Sequence, residues 1–169
     1  MKSQSTQQSS ETSPVTFRPV EPDDGSFLLE LYATTRADEM GMVPWTDEQR
    51  QAFVKMQYEA QQDHYRKKYP TASHEVILLS GSPVGHRYVA QLKNEIRIID
   101  ITVTPAKRNS GIGTFSLGGL LTEADRTGRA VRIYVESFNP SLRLFERLGF
   151  RQIEEHGIHL LMERSPELI

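Results

Sequence analysis

The first part of the chain has the pattern of a short strand followed by a helix. Residues 15–18 alternate between apolar and polar side chains, which predicts a strand that Pro19 ends. Asp23 and Asp24 then offer N-caps for a helix. The apolar stripe of this helix has the spacing i, i+1, i+4 and i+5 and consists of Phe27, Leu28, Leu31 and Tyr32.

The longest helical pattern begins at a capping box and ends before a proline. Thr46 and Gln49 have the spacing at which each side chain can bond the other residue's backbone N–H, and Pro70 cannot continue a helix. One face of this helix is aromatic, and we expect it to pack as core or rim: Tyr58, Tyr65 and Tyr69.

After the proline the apolar period changes from about 3.6 to about 2, which predicts consecutive strands. These are Glu75–Leu79, Val84–Leu92 and Ile96–Val103, with turns at 80–83 and 93–94. The last of them is rich in β-branched residues and almost continuously apolar. We therefore expect it in the middle of a sheet, covered on both faces.

The remaining residues predict two helices, a strand and a closing hairpin. A helix with apolar spacing i, i+3, i+4 and i+7 precedes the strand Val131–Val135, and a last helix is predicted for Asn139–Leu148 with Asn139 as its N-cap. Gly149 has the position of a left-handed C-terminal residue, and residues 150–163 read as a hairpin around His156-Gly157. The predicted order is β-α-α-β-β-β-α-β-α-β-β, an α/β domain with a mixed sheet over residues 15–169.

Composition narrows the class of protein. The length of 169 residues suits one domain, and a net charge of −2 argues against a protein that binds nucleic acid through its phosphates. The absence of cysteine excludes disulfides, thiolate metal sites and a cysteine nucleophile. Residues 1–14 are rich in Ser, Thr and Gln and predict a disordered tail, and no apolar run resembles a signal peptide or a membrane span. We expect a cytoplasmic protein that does not contact membranes.

The loop between Val103 and the following helix has the composition of an anion-binding turn. The first backbone N–H groups of a helix have no intrahelical partner, and the glycines let an anion approach them closely. Gly113 is followed by Thr114 rather than by the Lys of a nucleotide-hydrolysing P-loop, and Ser116 occupies the third-glycine position of a dinucleotide fingerprint. Neither nucleotide motif matches, and an ordinary turn before a helix is the alternative.

Two segments resemble the signatures of the GNAT superfamily of N-acetyltransferases. The first is Val103-x-Pro105 followed by Arg108-x-x-Gly111-x-Gly113, and the second is Asn139-Pro140-Ser141-Leu142-Arg143-Leu144-Phe145-Glu146-Arg147-Leu148-Gly149-Phe150. They occur in the family's order and spacing, and the predicted elements agree from residue 15 to about residue 163. The resemblance implies a GNAT-like fold and use of acetyl-CoA as a cosubstrate.

The resemblance also implies which residues contact the cofactor. The pyrophosphate of CoA would bind main-chain N–H groups in one loop: Arg108, Asn109, Ser110, Gly111, Ile112, Gly113 and Thr114. Ile101 and Val103 would offer backbone groups to the pantetheine arm, where the third strand splays from its neighbour. Asn139 would lie near the same arm, although its role as an N-cap is a sufficient structural explanation.

Two carboxylates are candidates for the general base. Asp100 is the only acid inside the apolar strand, and it either pairs with an arginine such as Arg97 or Arg132 or accepts a proton from the incoming ammonium. Glu136, at the end of the next strand, competes for the catalytic role.

The resemblance also implies that Phe145 contacts the cofactor, but this residue departs from the family pattern. Many members have at this position a Tyr that can protonate the departing thiolate, and Phe cannot do so. His156-x-x-His159 offers two potential metal ligands without a third, so we expect no metal site. The sequence thus predicts an acyl-CoA-dependent N-acyltransferase acting on a primary amine of a small molecule or protein. A non-catalytic CoA-binding module and an enzyme for longer acyl groups are the alternatives, and the oligomeric state is open, a homodimer included.

Overall fold

A computed structural model describes residues 14–167, which form one seven-stranded mixed sheet with helices on both faces. The predicted tail, residues 1–14, lies outside the described residues except for Pro14. The strands are β1 (Val15–Pro19), β2 (Ser73–Leu79), β3 (Ser82–Gln91), β4 (Glu95–Val103), β5 (Ala130–Glu136), β6 (Arg151–His156) and β7 (His159–Arg164). The helices are α1 (Gly25–Gly41), α2 (Asp47–Lys68), α3 (Ile112–Thr127) and α4 (Leu142–Arg147), and short 3₁₀ turns occupy Pro22–Asp24 and Pro105–Lys107. The predicted element order and the α/β class are confirmed.

The sheet has the order β1-β2-β3-β4-β5-β7-β6. The β4–β5 pair is parallel, and the other five neighbouring pairs are antiparallel. A parallel pair needs a crossover connection, and α3 supplies it. The strand with the near-continuous apolar run, β4, is the middle strand of the seven, as its sequence predicts.

Opposite faces of the sheet are covered by different helices. Arg87 and Tyr88 are neighbours on β3 and so point to opposite faces. Arg87 donates from Nη1 to the carbonyl oxygen of Ser116 in α3 at 2.6 Å, whereas the ring of Tyr88 lies 5.7 Å from that of Tyr65 in α2. The α3 face contains the larger apolar core, to which β4, β5, α3 and α4 contribute.

The ends of two helices test the predicted caps. Thr46 and Gln49 form the predicted capping box at the start of α2. The predicted start of α4 at Asn139 is wrong, because the helix begins at Leu142 and Ser141 is its N-cap. The side chain of Asn139 instead accepts a hydrogen bond from the N–H of Ser141 at 2.9 Å, and its carbonyl oxygen accepts one from the N–H of Leu142 at 3.1 Å. These bonds close a tight turn ahead of the helix rather than its first α-helical turn.

The end of α4 has the predicted left-handed geometry. Gly149 has a φ of 92°, and the N–H of Phe150 reaches the carbonyl oxygen of Phe145 at 3.0 Å. The two phenyl rings meet edge to face at 5.3 Å. This is a Schellman motif with its hydrophobic contact.

An irregularity in β4 opens the sheet at its centre. The parallel pairing of β4 with β5 covers four residue pairs and ends at Ile98 and Ile133. On the other side of β4, Val89 faces Ile98 and Tyr88 faces Asp100, so Ile99 is the extra residue of a β-bulge. Beyond the bulge β4 continues alongside β3, and β5 continues alongside β7. We call the opening between the ends of β4 and β5, which no longer pair with each other, the splay.

Within residues 14–167 there is no helix with the length and apolar character that crossing a membrane requires.

A glycine inside α3 provides a test of the fold. Gly119 is exposed, and a Cβ built on it would meet nothing within 4 Å. Because Gly is about 1 kcal/mol less favourable than Ala inside a helix, Gly119→Ala should stabilise the protein by about that amount and raise Tm by roughly 2–4 °C. Thermal and urea unfolding measure the change.

The matched control is Gly128→Ala. Gly128 ends α3 with a φ of 68°, a conformation that costs Ala roughly 1 kcal/mol. We therefore expect the two substitutions to change the free energy of unfolding in opposite directions. Equal effects would contradict the assigned end of α3.

Candidate active site

The splay exposes backbone groups of β4 to a ligand. Ile101 and Val103 lie beyond the last β4–β5 pair, and their antiparallel pairing with Arg87 and Gly85 uses only the β3 side of the strand. Backbone N–H and C=O groups are strong hydrogen-bonding groups, and they need partners when they are removed from water. The β5 side of this segment can therefore pair with an extended ligand that carries amide groups.

The loop after β4, which the sequence predicts to bind an anion, turns sharply ahead of α3. Asn109 and Gly111 have φ values of 60° and 84°, so the chain turns twice through the left-handed region before α3 begins. Gly111 is the N-cap, and no side chain caps the helix. The N–H groups of Ile112, Gly113 and Thr114 therefore point out of the first turn of α3 without intrahelical partners.

One side of this turn packs against the core, and its other side is open. Ile112 is 4 % exposed and packs with Ile77 and Val84. Nothing lies within 4 Å of a Cβ built on Gly111, whereas one on Gly113 would come within 3.0 Å of Cδ2 of Leu144 in α4. The helix start is thus fixed in position while the space in front of Gly111 is free for an anion.

Two polar side chains of the loop bond back to the chain. Arg108 donates from Nε to the carbonyl oxygen of Val103 at 3.2 Å, and the hydroxyl of Ser110 donates to the carbonyl oxygen of Lys107. Both residues are exposed. The Arg108 guanidinium therefore adds positive charge beside the helix start, where the helix dipole also favours an anion.

Asp100 faces the splay from the α2 side of the sheet. Its Oδ2 lies 3.0 Å from Nε2 of His86, and its side chain is 31 % exposed compared with 9 % for that of His86. Thr102 donates from its hydroxyl to the other carboxylate oxygen at 3.4 Å. A buried imidazole thus holds one oxygen of the Asp100 carboxylate, and part of the side chain remains accessible to solvent.

The predicted pairing of Asp100 with an arginine is wrong. Arg97 binds Glu95 at 3.0 Å, and Arg132 binds Glu163 at 2.7 Å. Each arginine is held by a glutamate near the other end of the strands, and the carboxylate of Asp100 pairs instead with His86 on β3.

A second histidine lies behind the first. Nε2 of His74 on β2 is 2.8 Å from Nδ1 of His86 on β3, and the ring of His74 stacks on that of Tyr88 at 4.3 Å. Sequence analysis missed both histidines. The signal was the strand register, because the β2–β3 and β3–β4 hairpins place His74 opposite Tyr88 and Tyr88 opposite Asp100.

The neighbouring groups set the charges of this cluster. Burial opposes ionisation of Asp100, but the interaction with His86 outweighs burial and holds the pKa of Asp100 below its ordinary value. Burial and the neighbouring His86 lower the pKa of His74 to about 4. At neutral pH the cluster therefore contains an ionised carboxylate and a neutral His74.

Glu136, the other candidate base, is tied to α1. Its Oε1 lies 3.2 Å from Nη1 of Arg36, which also reaches Oε1 of Glu39 at 3.2 Å. Arg36 further donates from Nε to the hydroxyl of Tyr32 at 3.2 Å. Glu136 is thus a paired carboxylate at the end of β5, whereas Asp100 has no guanidinium partner within the described residues.

The structure places Phe145 in the core and not on a surface that a cofactor reaches. Its side chain is 1 % exposed and packs against Phe150 in the Schellman motif of α4. A phenol does occur next to the splay, on Tyr134, the first β5 residue beyond the last β4–β5 pair. Tyr134 is 44 % exposed.

His156 and His159, the two potential metal ligands of the sequence, lie at a surface turn. The two residues face each other across the β6–β7 hairpin, and Nε2 of His156 lies 2.8 Å from Oε2 of Glu154. Asn139 lies exposed at the carboxyl end of β5, after Glu136. The structure thus brings the loop, Ile101, Val103, Asp100 and Glu136 to the same end of the central strands.

Comparison with solved structures identifies the fold. The N-acetyltransferase PaiA from Thermoplasma acidophilum, solved in complex with coenzyme A, is 14 % identical, has a TM-score of 0.68 and matches 89 % of this chain and 98 % of its own. An acetyltransferase from Thermus thermophilus is 17 % identical with a TM-score of 0.63, over 89 % of this chain and 96 % of its own. The ribosomal-protein-S18-alanine N-acetyltransferase from Escherichia coli is 15 % identical with a TM-score of 0.59, over 92 % and 96 %.

Sequence comparison identifies the family. No curated protein sequence matches the chain. The family model of the GNAT acetyltransferases matches residues 31–150, which include β2 to β5, the anion-binding loop and α4. The predicted resemblance is confirmed, and the chain belongs to the acetyltransferase (GNAT) family.

Proposed function

We propose that this protein transfers an acyl group, preferentially acetyl, from acyl-CoA to a primary amine of a small molecule or protein. The main support is the splay, which brings together a β4 edge that β5 leaves uncovered, a helix start without a side-chain cap and an accessible carboxylate. The family match supports acyltransferase chemistry.

The residues present fit a CoA cosubstrate. The pyrophosphate would bind the N–H groups from Arg108 to Thr114, where the space before Gly111 is open. The pantetheine amides would pair with the backbone of Ile101 and Val103, as an added strand does. Asn139 would lie beside the same arm. The structural neighbour solved with coenzyme A supports this assignment.

Asp100 is the proposed general base. The amine must lose a proton to attack the thioester, and an ionised, partly exposed carboxylate can accept it, directly or through a water molecule. The amine nitrogen then forms the amide bond as the carbon–sulfur bond breaks and CoA leaves as thiolate. Glu136 is the less suitable base, because its Oε1 is engaged by the guanidinium of Arg36 at 3.2 Å.

A non-catalytic CoA-binding module is the second candidate, and the identity of residue 145 favours it. A buried phenylalanine cannot donate a proton to the thiolate. In a working enzyme the donor would be water or the exposed hydroxyl of Tyr134. Turnover with an amine distinguishes the two candidates.

CoA binding should stabilise the fold. At a concentration 100-fold above Kd, CoA or acetyl-CoA contributes about 2.7 kcal/mol, which for this chain length corresponds to a rise in Tm of roughly 5–10 °C. Differential scanning fluorimetry measures the shift, with ATP and NAD as controls. No shift with millimolar CoA would refute the cofactor assignment.

Gly113→Val should weaken CoA binding at least tenfold. The added side chain fills space at the start of α3, and its Cβ meets only the flexible end of Leu144, so the apo fold should persist. Gly111→Val is the less suitable variant, since a φ of 84° strains a β-branched residue.

The matched control is Gly118→Val, at a position in the same helix where a Cβ meets nothing within 4 Å. Isothermal titration gives the CoA affinities of both variants. Equal affinities would place the anion-binding site elsewhere.

Asp100→Asn should lower kcat/KM about 10²–10⁴-fold while CoA affinity stays unchanged, because the amide keeps the shape and loses the base. The assay measures thiol release from acetyl-CoA across a panel of amines, with longer acyl-CoAs as competitors. Glu136→Gln is the matched carboxylate variant and should lose less activity. Bound CoA with no turnover of any amine would support the non-catalytic module.

A further inference from the structure

We propose that His86, oriented by His74, is a positioning residue that holds the Asp100 carboxylate for proton transfer from the acceptor amine. This inference rests on the function proposed for Asp100. Neither histidine belongs to the two sequence signatures of the cofactor loop and α4.

Three side chains form a row across the sheet. The three side chains come from neighbouring strands β2, β3 and β4, on the face that packs against α2, and two short contacts join them in a row. His74 Nε2 lies 2.8 Å from His86 Nδ1, and His86 Nε2 lies 3.0 Å from Asp100 Oδ2. Stacking on Tyr88 at 4.3 Å fixes the plane of the His74 ring. The strands therefore hold the row rigid.

The hydrogen bonds of the row have a defined direction. An ionised carboxylate only accepts, so His86 must donate from Nε2. In the Nε2–H tautomer, His86 has a bare Nδ1, which accepts from Nε2–H of His74. Each tautomer is thus determined by its neighbour, and Nδ1 of His74 needs no hydrogen.

His74 also connects the row to solvent. Together with Tyr58 and Arg66 it lines a surface cleft of about 220 Å³ between α2 and the sheet. A proton added to His86 would place a hydrogen on both nitrogens of the His74–His86 contact. The added proton is accommodated only if His74 changes tautomer, with its own hydrogen on Nδ1 and a bare Nε2. The ring of His74 is half-buried and lines the cleft, where water can exchange this hydrogen.

The other groups around the row stay in one charge state near neutrality. From α2, burial raises the pKa of Tyr58 and of Tyr65, and Arg66 is a permanent cation. On β3, burial raises the pKa of Tyr88.

From the turn before α1, the hydrogen bond from Arg18 lowers the pKa of Asp24 to about 2. From α1, Arg36 acts on Tyr65 and stays charged. At the cleft, Glu59 is an exposed surface carboxylate.

The consequence for Asp100 has a definite sign. His86 favours the ionised carboxylate, so activity that needs this form is lost only when the pH falls through a depressed pKa. Without His86 the pKa of Asp100 rises, and the acid limb of kcat/KM moves to higher pH. The carboxylate also loses the bond that orients Oδ2.

The test compares three variants with the wild type. His86→Leu removes the bond and should lower kcat at least tenfold and move the acid limb up by about one pH unit. His86→Gln retains an amide donor at the position of Nε2 and should recover part of both effects. His74→Phe keeps the stacking on Tyr88 and removes only the donor to His86, so it should produce a smaller shift of the same sign. CoA affinity should be unchanged in all three.

His159→Gln, an exposed histidine outside the row, is the control and should leave the pH profile unchanged. An unshifted acid limb in His86→Leu would overturn the proposal.

NMR tests the same row without turnover and so separates it from the proposed function. Histidine ¹⁵N spectra of the wild type should show His86 as the Nε2–H tautomer, and the carboxyl ¹³C titration of Asp100 should move to higher pH in His86→Leu. These results support the row even if no amine is acetylated. A His86 Nδ1–H tautomer, or an unmoved Asp100 titration, would overturn it even in an active enzyme.

Discussion

The arrangement of the site depends on one extra residue in the central strand. Ile99 interrupts the alternation of β4, and from that point the strand no longer pairs with β5. The same insertion reverses the side on which the following residues lie. In a regular strand Asp100 would share the α3 face with Ile98; after the bulge it faces α2. One irregularity therefore opens the sheet and moves the carboxylate to the face opposite the larger apolar core.

The two faces of the opening have different chemistry as a result. On the α3 face the chain offers backbone donors and a helix start, anchored by the buried side chain of Ile112. On the α2 face it offers Asp100 with its two histidines, and Arg36 with Glu136. Under the proposed function, the anionic, amide-rich CoA would bind the first set and the cationic amine the second. The bond to be formed would then lie between them, in the plane of the sheet.

Local sequence patterns were sufficient for features that local bonds determine. The capping box at Thr46 and the left-handed Gly149 were predictable because each involves residues within one helical turn. The partner of Asp100 was not, since it depends on a bulge that an unbroken apolar run conceals and on the register of two hairpins. Asn139 failed for a different reason, because its side chain satisfies a tight turn as well as it satisfies a helix N-terminus. The turn after β4 and the helix that follows it were predictable from the glycines and the apolar spacing, and the anion site there stays a prediction.

The short parallel ladder divides the sheet mechanically. Four residue pairs join β4 to β5, whereas every antiparallel neighbour of these strands runs alongside for most of its length. The sheet thus consists of two parts, which are joined only by the four β4–β5 residue pairs. One part contains β1 to β4, and the other contains β5, β7 and β6. A ligand that filled the remaining edge would act as the missing length of strand and lock the angle between the two parts. A ligand bound in the splay would then reduce the motion of the outer strands β1 and β6, far from the bound molecule.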